Sequence, residues 1–448
     1  MYKKSLFVFR RDLRLEDNTG LLQSLAASET VIPIFIYDDV VLKKYKDSEF
    51  RLNFLNESLL ELDRDLKKKD SSLQIFRGLP YKVTEKILSE NDIDAVFVNT
   101  DFTAYSQSRD EKINQICQKN NMAFHSVVDF LLHNPNAIKT NDEKPYTIYS
   151  HFYKKAKQSP VRKILKNSKD NYSKEKISTL SIASPAIKDP EIKGGRSMGL
   201  KILKDLEKFT DYGNFRDFPA LHHTTTLSAH NKFGTVSIRE VYHTIKEKLG
   251  TDHVLMDEIY WREFFSHILF HFPWAQKKSF RFKFQKIHWS KSKKDFKKWA
   301  EGYTGFPMVD AGMRQLNQTG FMHNRARMIA ASFLTKDLHI DWRWGEKYFA
   351  KKLVDYDPAV NSGNWQWVAS TGCDAVPCFR IFNPWMQQAK FDSDCLYVKK
   401  WIPELSELTP NVIHNLWQNF PTNLKYPKPM INHKIESQKT KDILRSQK

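Results

Sequence analysis

The segment VIPIFIY, residues 31–37, is a short and almost unbroken run of β-branched and aromatic residues. Runs of this length and composition are typical of strands that lie buried in a parallel sheet. Three similar runs, at residues 5–9, 73–76 and 95–99, alternate with stretches that have helical patterning. This alternation predicts an α/β domain over residues 1–132, in which helices cover both faces of a Rossmann-like parallel sheet.

The rest of the chain follows different patterns. From about residue 160 to 195 the sequence is rich in Lys, Ser, Pro and Ile with weak periodicity, and we predict a linker over residues 133–197. Beyond it, apolar residues recur at helical spacing, which predicts an all-α domain over residues 198–448. All 11 tryptophans lie at or beyond Trp261, so the helical domain has a tryptophan content that the α/β domain lacks.

The composition limits the class of protein. With 41% hydrophobic and 27% charged residues, the chain has the make-up of a globular protein, and its 448 residues are too many for one core. No window approaches the roughly 18 consecutive apolar residues of a membrane span. The cysteines form no CxxC motif, which is typical of a reducing compartment. We therefore expect a cytoplasmic protein with no membrane partner. The four cysteines are Cys117, Cys373, Cys378 and Cys395.

The net charge of +19 indicates either a polyanionic partner or a surface solvated by lysine. The distribution of the charges favours a nucleic acid. Residues 277–299 contain ten Lys or Arg, one acidic residue and six aromatic residues. This mixture suits phosphate contacts beside base stacking.

Several familiar catalytic motifs are absent or incomplete. Neither GxGxxG nor GxxxxGK[ST] occurs. GRSMG, residues 195–199, matches the GxSxG nucleophile motif, but no strand is predicted before Ser197. His267 and His271 are one helical turn apart without an HExxH motif, and we expect no metal site. The chemistry is therefore expected to come from a bound cofactor.

The strongest signal comes from a group of segments that lie mostly in the helical domain. They are FRDFPA (215–220), EIYWREFF (258–265), residues 302–349, DYDPAVNSGNWQWVAS (355–370) and FRIFNP (379–384), with VFRRDLRLEDN near the N-terminus. Together they resemble the photolyase/cryptochrome family, and most closely its class I cyclobutane pyrimidine dimer photolyases. The resemblance covers nearly the whole chain. It implies an N-terminal α/β domain for an antenna pigment and a C-terminal all-helical domain that binds FAD and DNA.

The resemblance implies a set of residues that contact FAD. Arg327 would pair with Asp355 beside the flavin, Asn361 matches the residue that faces flavin N5, and Asp357 matches a further flavin-contacting carboxylate. Backbone N–H groups and hydroxyls at a helix start, as in TTTLS (224–228), suit a pyrophosphate. The full set is Tyr212, Thr224, Thr225, Thr226, Leu227, Ser228, Arg327, Asp355, Tyr356, Asp357 and Asn361.

A site for a flipped-out pyrimidine dimer is also implied. Trp261 and Trp367 match its opposite walls, and stacking of this kind returns about 1–3 kcal/mol per base. Glu258 lies three residues before Trp261 on the same helix face, where it would hydrogen-bond or protonate a pyrimidine carbonyl. The residues expected to contact DNA are Arg216, Glu258, Trp261, Asn324, Arg325, Met328, Trp367 and Gln387.

Trp365 and Trp367 are two residues apart, so on a helix they point in directions that differ by about 200°. We therefore expect the two side chains to have different tasks. Trp365 matches, together with Trp342 and Trp289, the three-tryptophan chain that carries electrons from the surface to photoexcited FAD. With Glu258, these three tryptophans are the predicted catalytic residues.

These features predict a light-dependent lyase that repairs UV-damaged DNA as a monomer. Excited, reduced FAD would donate an electron to the dimer, whose cyclobutane bonds then split. Two alternatives remain. A (6-4) photolyase would carry histidines in place of Asn324 and Met328. A cryptochrome photoreceptor, which is not an enzyme, would often have an altered dimer pocket, whereas this chain keeps Trp261 and Trp367.

The antenna pigment is left open by the sequence. Folate-binding relatives place Asn-Glu near the fourth strand, where this chain has Tyr105 and Ser106. Four alternatives stay open: a folate, a deazaflavin, a second flavin, or no pigment at all.

Overall fold

The computed structural model describes residues 1–375, 377 and 380–446. Cys378, one of the four cysteines, and Phe379, the first residue of FRIFNP, therefore lie outside the described residues. The chain divides into two compact units. The first unit comprises residues 1–210 and 225–273, and the second comprises residues 211–224 and 274–448. The predicted domain boundaries at residues 132 and 197 stay a prediction.

The first unit is built on a parallel five-stranded sheet with strand order β3-β2-β1-β4-β5. All four strands that the sequence predicts are present, and the predicted fold class is confirmed. The fifth strand was not predicted, because its sequence AFHSV is mixed in polarity and only partly buried at the edge of the sheet. The strands are β1 Tyr2–Phe9, β2 Ser28–Asp38, β3 Gln74–Gly78, β4 Ala95–Asn99 and β5 Ala123–Val127.

Apolar side chains on alternate positions of the central strands form the core of this unit. Leu6 of β1 lies opposite Ile32 of β2 and Val96 of β4, and all three are fully buried. Helices cover them, so both faces of the sheet are apolar. Burial of each such side chain stabilises the fold by about 1.5–3 kcal/mol.

Twenty α-helices are found among the described residues, joined by turns and irregular segments. Those from Thr19 to His271 are α1 Thr19–Ala27, α2 Asp39–Lys44, α3 Glu49–Lys67, α4 Pro80–Glu90, α5 Ala104–Lys119, α6 Tyr149–Gln158, α7 Arg196–Lys204, α8 Tyr212–Phe215, α9 Ser228–Phe233, α10 Ile238–Lys248 and α11 Val254–His271. Those that follow are α12 Lys293–Glu301, α13 Pro307–Thr319, α14 Asn324–Ser332, α15 Trp342–Lys352, α16 Pro358–Val368, α17 Pro384–Phe391, α18 Leu396–Trp401, α19 Pro410–His414 and α20 His433–Arg445. No helix among the described residues is long and apolar enough to cross a membrane.

The segment predicted as a linker has structure of its own. It contains α6, and two of its residues extend the sheet by single bridges, Tyr172 to Val31 and Leu180 to Ile75. This segment therefore belongs to the first unit, where it pairs with the edges of β2 and β3 at single residues.

Four buried charges tie α10 to the sheet within the first unit. Asp129, just after β5, binds Arg14 at 2.6 Å and Arg239 of α10 at 2.8 Å, and Arg239 also binds Asp17 at 2.7 Å. Burial acts to raise the pKa of Asp129, but the two guanidinium groups outweigh it and hold that pKa well below its usual range. The carboxylate therefore stays charged at neutral pH, and its contribution to stability is lost only in strong acid.

The substitution Asp129→Asn tests this cluster. Removal of the carboxylate charge leaves Arg14 buried without its ion-pair partner and Arg239 with Asp17 alone, and we expect a loss of about 3–5 kcal/mol in the free energy of unfolding, measured by urea titration. The matched control is Asp189→Asn, which removes an exposed ion pair with Lys193 and should leave the urea midpoint unchanged. Equal effects of the two substitutions would contradict the proposed role of the cluster.

Candidate functional site

Helix α16 carries Asn361, Trp365 and Trp367 and is capped by Asp357, four of the predicted site residues of the second unit. Its first turn is capped by Asp357, whose carboxylate accepts hydrogen bonds from the backbone N–H groups of Ala359 at 2.9 Å and Val360 at 3.2 Å. Asn361 and Trp365 are four residues apart and therefore share one face. Their exposed fractions are 9% and 2%, whereas Trp367 is only partly buried. The helix thus presents the two tryptophans to different surroundings, as the sequence predicts.

The amide of Asn361 is held in a fixed orientation. Its Nδ2 donates to the backbone oxygen of Glu346 at 3.1 Å and to Oε1 of the same residue at 3.0 Å. The hydroxyl of Tyr356 also donates to Oε1 of Glu346, at 3.3 Å. Sequence reasoning did not identify Glu346, since its role depends on the close approach of α15 to α16.

Trp365 occupies a tight aromatic site between helices. A Cβ atom added to Gly345 would clash with its indole ring, so only glycine leaves room for the ring at this position. Phe349 and Trp299 pack against Trp365 at ring-centroid distances of 5.0 and 6.1 Å.

The other two predicted electron-transfer tryptophans differ in exposure. Trp342 is fully buried, whereas Trp289 is partly exposed and packs beside Ile443 and Leu444 of α20. All three tryptophans lie in the second unit. Trp289, the partly exposed one, is where an electron-transfer route to solvent would end. Their role in electron transfer stays a prediction.

Helix α14 carries the predicted DNA contacts Asn324, Arg325 and Met328. Asn324 is exposed, and its amide lies 3.9 Å from the sulfur of Met328. Arg325 does not extend into solvent as the sequence suggested. Its side chain is only 14% exposed, binds Asp217 at 2.6 Å and stacks over the ring of Phe391.

Arg327 lies on the same helix and makes the ion pair that the sequence predicts. Its Nη2 and Nη1 atoms donate to the two oxygens of Asp355 at 2.8 and 3.2 Å. Its Nε donates to the backbone oxygen of Met322 at 2.7 Å. The guanidinium group is thus fixed in a bidentate geometry, although its place beside a flavin stays a prediction.

A neutral histidine caps α14. His323 Nδ1 accepts a hydrogen bond from the backbone N–H of Arg325 at 3.2 Å. Burial, assisted by the charge of Arg327, lowers the pKa of His323 to about 4. The ring is therefore neutral near pH 7, as an acceptor must be.

The remaining predicted residues of the second unit lie on three short segments. Tyr212 and Arg216 are at the two ends of α8, where the guanidinium group lies 6.0 Å from the tyrosine ring. Thr224 follows that segment and is partly buried, as is Gln387 in α17.

Helix α11 of the first unit carries Glu258 and Trp261. The ring of Trp261 stacks face to face on Tyr149 of α6, with a centroid distance of 3.5 Å and an interplanar angle of 6°. The hydroxyl of Tyr149 donates to the backbone oxygen of Asp257 at 3.0 Å. Tyr149 thus fixes the plane of the predicted dimer-stacking residue, and sequence reasoning missed it because it lies in the predicted linker.

Residues 225–228 of the TTTLS segment lie in the first unit and form a turn that leads into α9. Thr225 Oγ1 accepts from the backbone N–H of Leu227 at 3.4 Å, Thr226 has a positive φ of 53°, and α9 begins at Ser228. Hydroxyl and backbone donors of this kind suit phosphate oxygens, and the Arg327–Asp355 pair with Asn361 offers donors and acceptors for a flavin ring. The donor sets of both units therefore fit the chemistry of FAD.

A second polar cluster lies at the carboxyl edge of the sheet. Arg10 follows β1 and donates to Asp110 of α5 at 2.8 Å, and Arg109 donates to the same carboxylate at 2.9 Å. One terminal nitrogen of each guanidinium group is buried and has no hydrogen-bond partner within the described part of the chain. Two positive charges thus share one carboxylate, and sequence reasoning did not identify them.

Comparison with known proteins gives consistent matches. The protein-family model described as DNA photolyase matches residues 5–168 of this chain. The family model described as the FAD binding domain of DNA photolyase matches residues 255–446. Deoxyribodipyrimidine photo-lyases of Agrobacterium fabrum and Synechococcus are 36% and 34% identical over 95% and 98% of this chain, and 94% and 96% of their own lengths.

Solved structures agree. An archaeal photolyase from Sulfolobus tokodaii, described with two FAD molecules, is 40% identical with a TM-score of 0.88, and 99% of this chain and all of that chain are covered. A class III photolyase from Agrobacterium tumefaciens is 32% identical with a TM-score of 0.91, and the coverage is 100% of this chain and 98% of that chain. A Synechocystis cryptochrome is 26% identical with a TM-score of 0.89, over 98% and 99% of the two chains.

These matches confirm the predicted FAD cofactor and the prediction of a photo-lyase enzyme. They do not single out class I, since a class III enzyme is among the similar structures. On the strength of its full-length relatives, the chain belongs to the photolyase/cryptochrome family.

Proposed function

We propose that this enzyme splits cyclobutane pyrimidine dimers in UV-damaged DNA under blue light, with a dimer pocket of the class I type. The arrangement of α16 is the observation that carries the proposal. One face holds a buried, orientated amide and a buried indole, and the other holds a partly exposed indole. The informative feature is the buried amide of Asn361 beside the indole, because a helix that only packs a core seldom buries a polar side chain.

The dimer would be held by residues that supply stacking and hydrogen bonds. Trp261, whose plane is fixed by Tyr149, and Trp367 offer rings to the two bases of a flipped-out dimer. Glu258 precedes Trp261 by one helical turn and would hydrogen-bond a pyrimidine carbonyl, while the thioether of Met328 lines the pocket. When bound, reduced and photoexcited, FAD would supply the electron that splits the dimer and would take it back after the bonds break, so that the reaction is redox-neutral.

The residues proposed to hold FAD have distinct tasks. The start of α9 would bind the phosphates, since it offers hydroxyl and backbone donors. Asn361 would face the flavin ring, where Glu346 keeps its amide from rotating. Trp365, Trp342 and Trp289 would restore the reduced state of FAD by passing electrons inward from the partly exposed Trp289.

The same proposal includes a monomer that acts in the cytoplasm. The described cysteines are all free and buried, which fits a reducing compartment.

The activity test compares a thymine-dimer oligonucleotide with a (6-4) photoproduct oligonucleotide, each incubated with reduced enzyme in blue light and in darkness. We expect dimer reversal, measured by chromatography, only for the cyclobutane lesion and only in light. Repair of the (6-4) lesion alone would contradict the dimer specificity. A protein that holds FAD but repairs neither lesion would favour a photoreceptor.

The substitution Trp365→Phe tests the tryptophan chain. We expect it to abolish light-driven reduction of oxidised FAD, followed by the loss of flavin absorbance, and to spare repair by chemically reduced enzyme. Trp417→Phe, at an exposed tryptophan of the same unit, is the matched control and should retain both. An equal loss of photoreduction and repair in Trp365→Phe would rule out the proposed role.

We also propose that the second chromophore is a flavin nucleotide whose phosphate binds Arg10 and Arg109. Two guanidinium groups that share one carboxylate, each with a buried nitrogen lacking a partner among the described residues, suit a phosphate dianion. Burial and the nearby charge of Arg109 hold the pKa of Arg10 below its usual value, so a bound anion would relieve the repulsion between the two guanidinium groups. The two FAD molecules of the Sulfolobus tokodaii photolyase support the same class of ligand.

The substitution Arg109→Ala tests the second flavin. The flavin released by acid should fall from two molecules per chain to one, while light-driven repair at saturating light persists because the FAD of the helical domain remains. A folate or deazaflavin identified by mass spectrometry in the wild-type protein would overturn this assignment, as would a variant that keeps two flavins.

A further inference from the structure

The loop after α11 presents a stack of three aromatic rings, which we call the aromatic step: Trp274, Phe280 and Phe282. Trp274 stacks on Phe280 with a centroid distance of 5.5 Å and an angle of 16°, and it packs in a tilted arrangement against Phe282 with a centroid distance of 5.3 Å and an angle of 30°. Phe282 is 71% exposed. A large apolar ring in solvent at the end of a stack resembles a binding platform more than a part of the core.

The backbone that carries the aromatic step is held rigidly within the second unit. Gln366 is buried; its Nε2 donates to the backbone oxygen of Ala275 at 2.5 Å, and its Oε1 accepts from the backbone N–H of Phe280 at 2.8 Å. Arg343 donates to the backbone oxygen of Lys277 at 2.8 Å. The rings are therefore pre-organised, and the loss of loop entropy when a ligand binds them is small.

The charge around the aromatic step is positive. Lys277 and Lys278 precede the exposed ring and Lys283 and Lys286 follow it, and all four are exposed. Across residues 277–299 the one acidic residue lies in α12, at the start of that helix. Rings flanked by lysines offer stacking and phosphate contacts side by side.

We propose that the aromatic step binds undamaged single-stranded DNA through residues other than those assigned to the dimer. A duplex keeps its base faces inside the helix, so exposed rings on a rigid loop select bases that are already unpaired. None of the residues of the aromatic step belongs to the proposed pocket for the dimer. The proposed binding requires neither light nor a lesion, so its test is independent of the proposed repair activity.

The experiment measures binding of fluorescein-labelled oligothymidine to the FAD-loaded protein in darkness, by anisotropy at fixed ionic strength. We expect Phe282→Ala to weaken binding about tenfold, because one base loses its stacking partner. Phe282→Trp should keep the affinity within about twofold, since an indole also stacks. Trp417→Ala removes an exposed ring elsewhere in the same unit and should leave the affinity unchanged.

Unchanged affinity in Phe282→Ala would overturn the proposal. If Trp367→Ala loses affinity and Phe282→Ala does not, the single-stranded DNA binds at the dimer pocket and the proposal is also overturned. If Phe282→Ala no longer retains FAD, the double variant Lys283→Ala/Lys286→Ala decides. It is expected to weaken binding about tenfold through lost phosphate contacts, and unchanged affinity would overturn the proposal.

Discussion

The candidate site depends on the close approach of α15 to α16 at Gly345. A side chain at this position would occupy the space of the Trp365 indole, so the two helices can lie this close only where one of them lacks a Cβ. The approach has a second effect, because the next residue along α15, Glu346, then reaches Asn361 on α16. One missing methyl group thus sets the depth of a buried indole and the orientation of a buried amide.

The elements of the fold followed from local patterns where those patterns were strong. The predicted strands β1 to β4 each contain a run of apolar residues, whereas β5, at a sheet edge, is short and mixed in polarity and carried too weak a signal. Within residues 133–197 the weak periodicity belongs to residues 160–195, and α6, which precedes them and stacks Tyr149 on Trp261 of α11, was included in the predicted linker.

The site was predictable only in part. The resemblance paired Arg327 with Asp355, and the geometry shows that pair. It gave no indication of Tyr149 beside Trp261 or of Asp217 beside Arg325, because each partner lies more than 100 residues away in the chain. Spacing arguments describe one helix at a time, so they assigned Arg325 to the outer face without the carboxylate that another segment brings to it.

The ion pair between Arg325 and Asp217 has a consequence for how DNA affinity depends on salt. In the proposed complex, a DNA phosphate at Arg325 would meet a guanidinium group whose charge Asp217 already offsets. The ion pair as a whole brings almost no net positive charge to the strand, so this contact would release few of the cations condensed on the DNA. It would orient the strand while adding little to the entropy that counterion release normally provides.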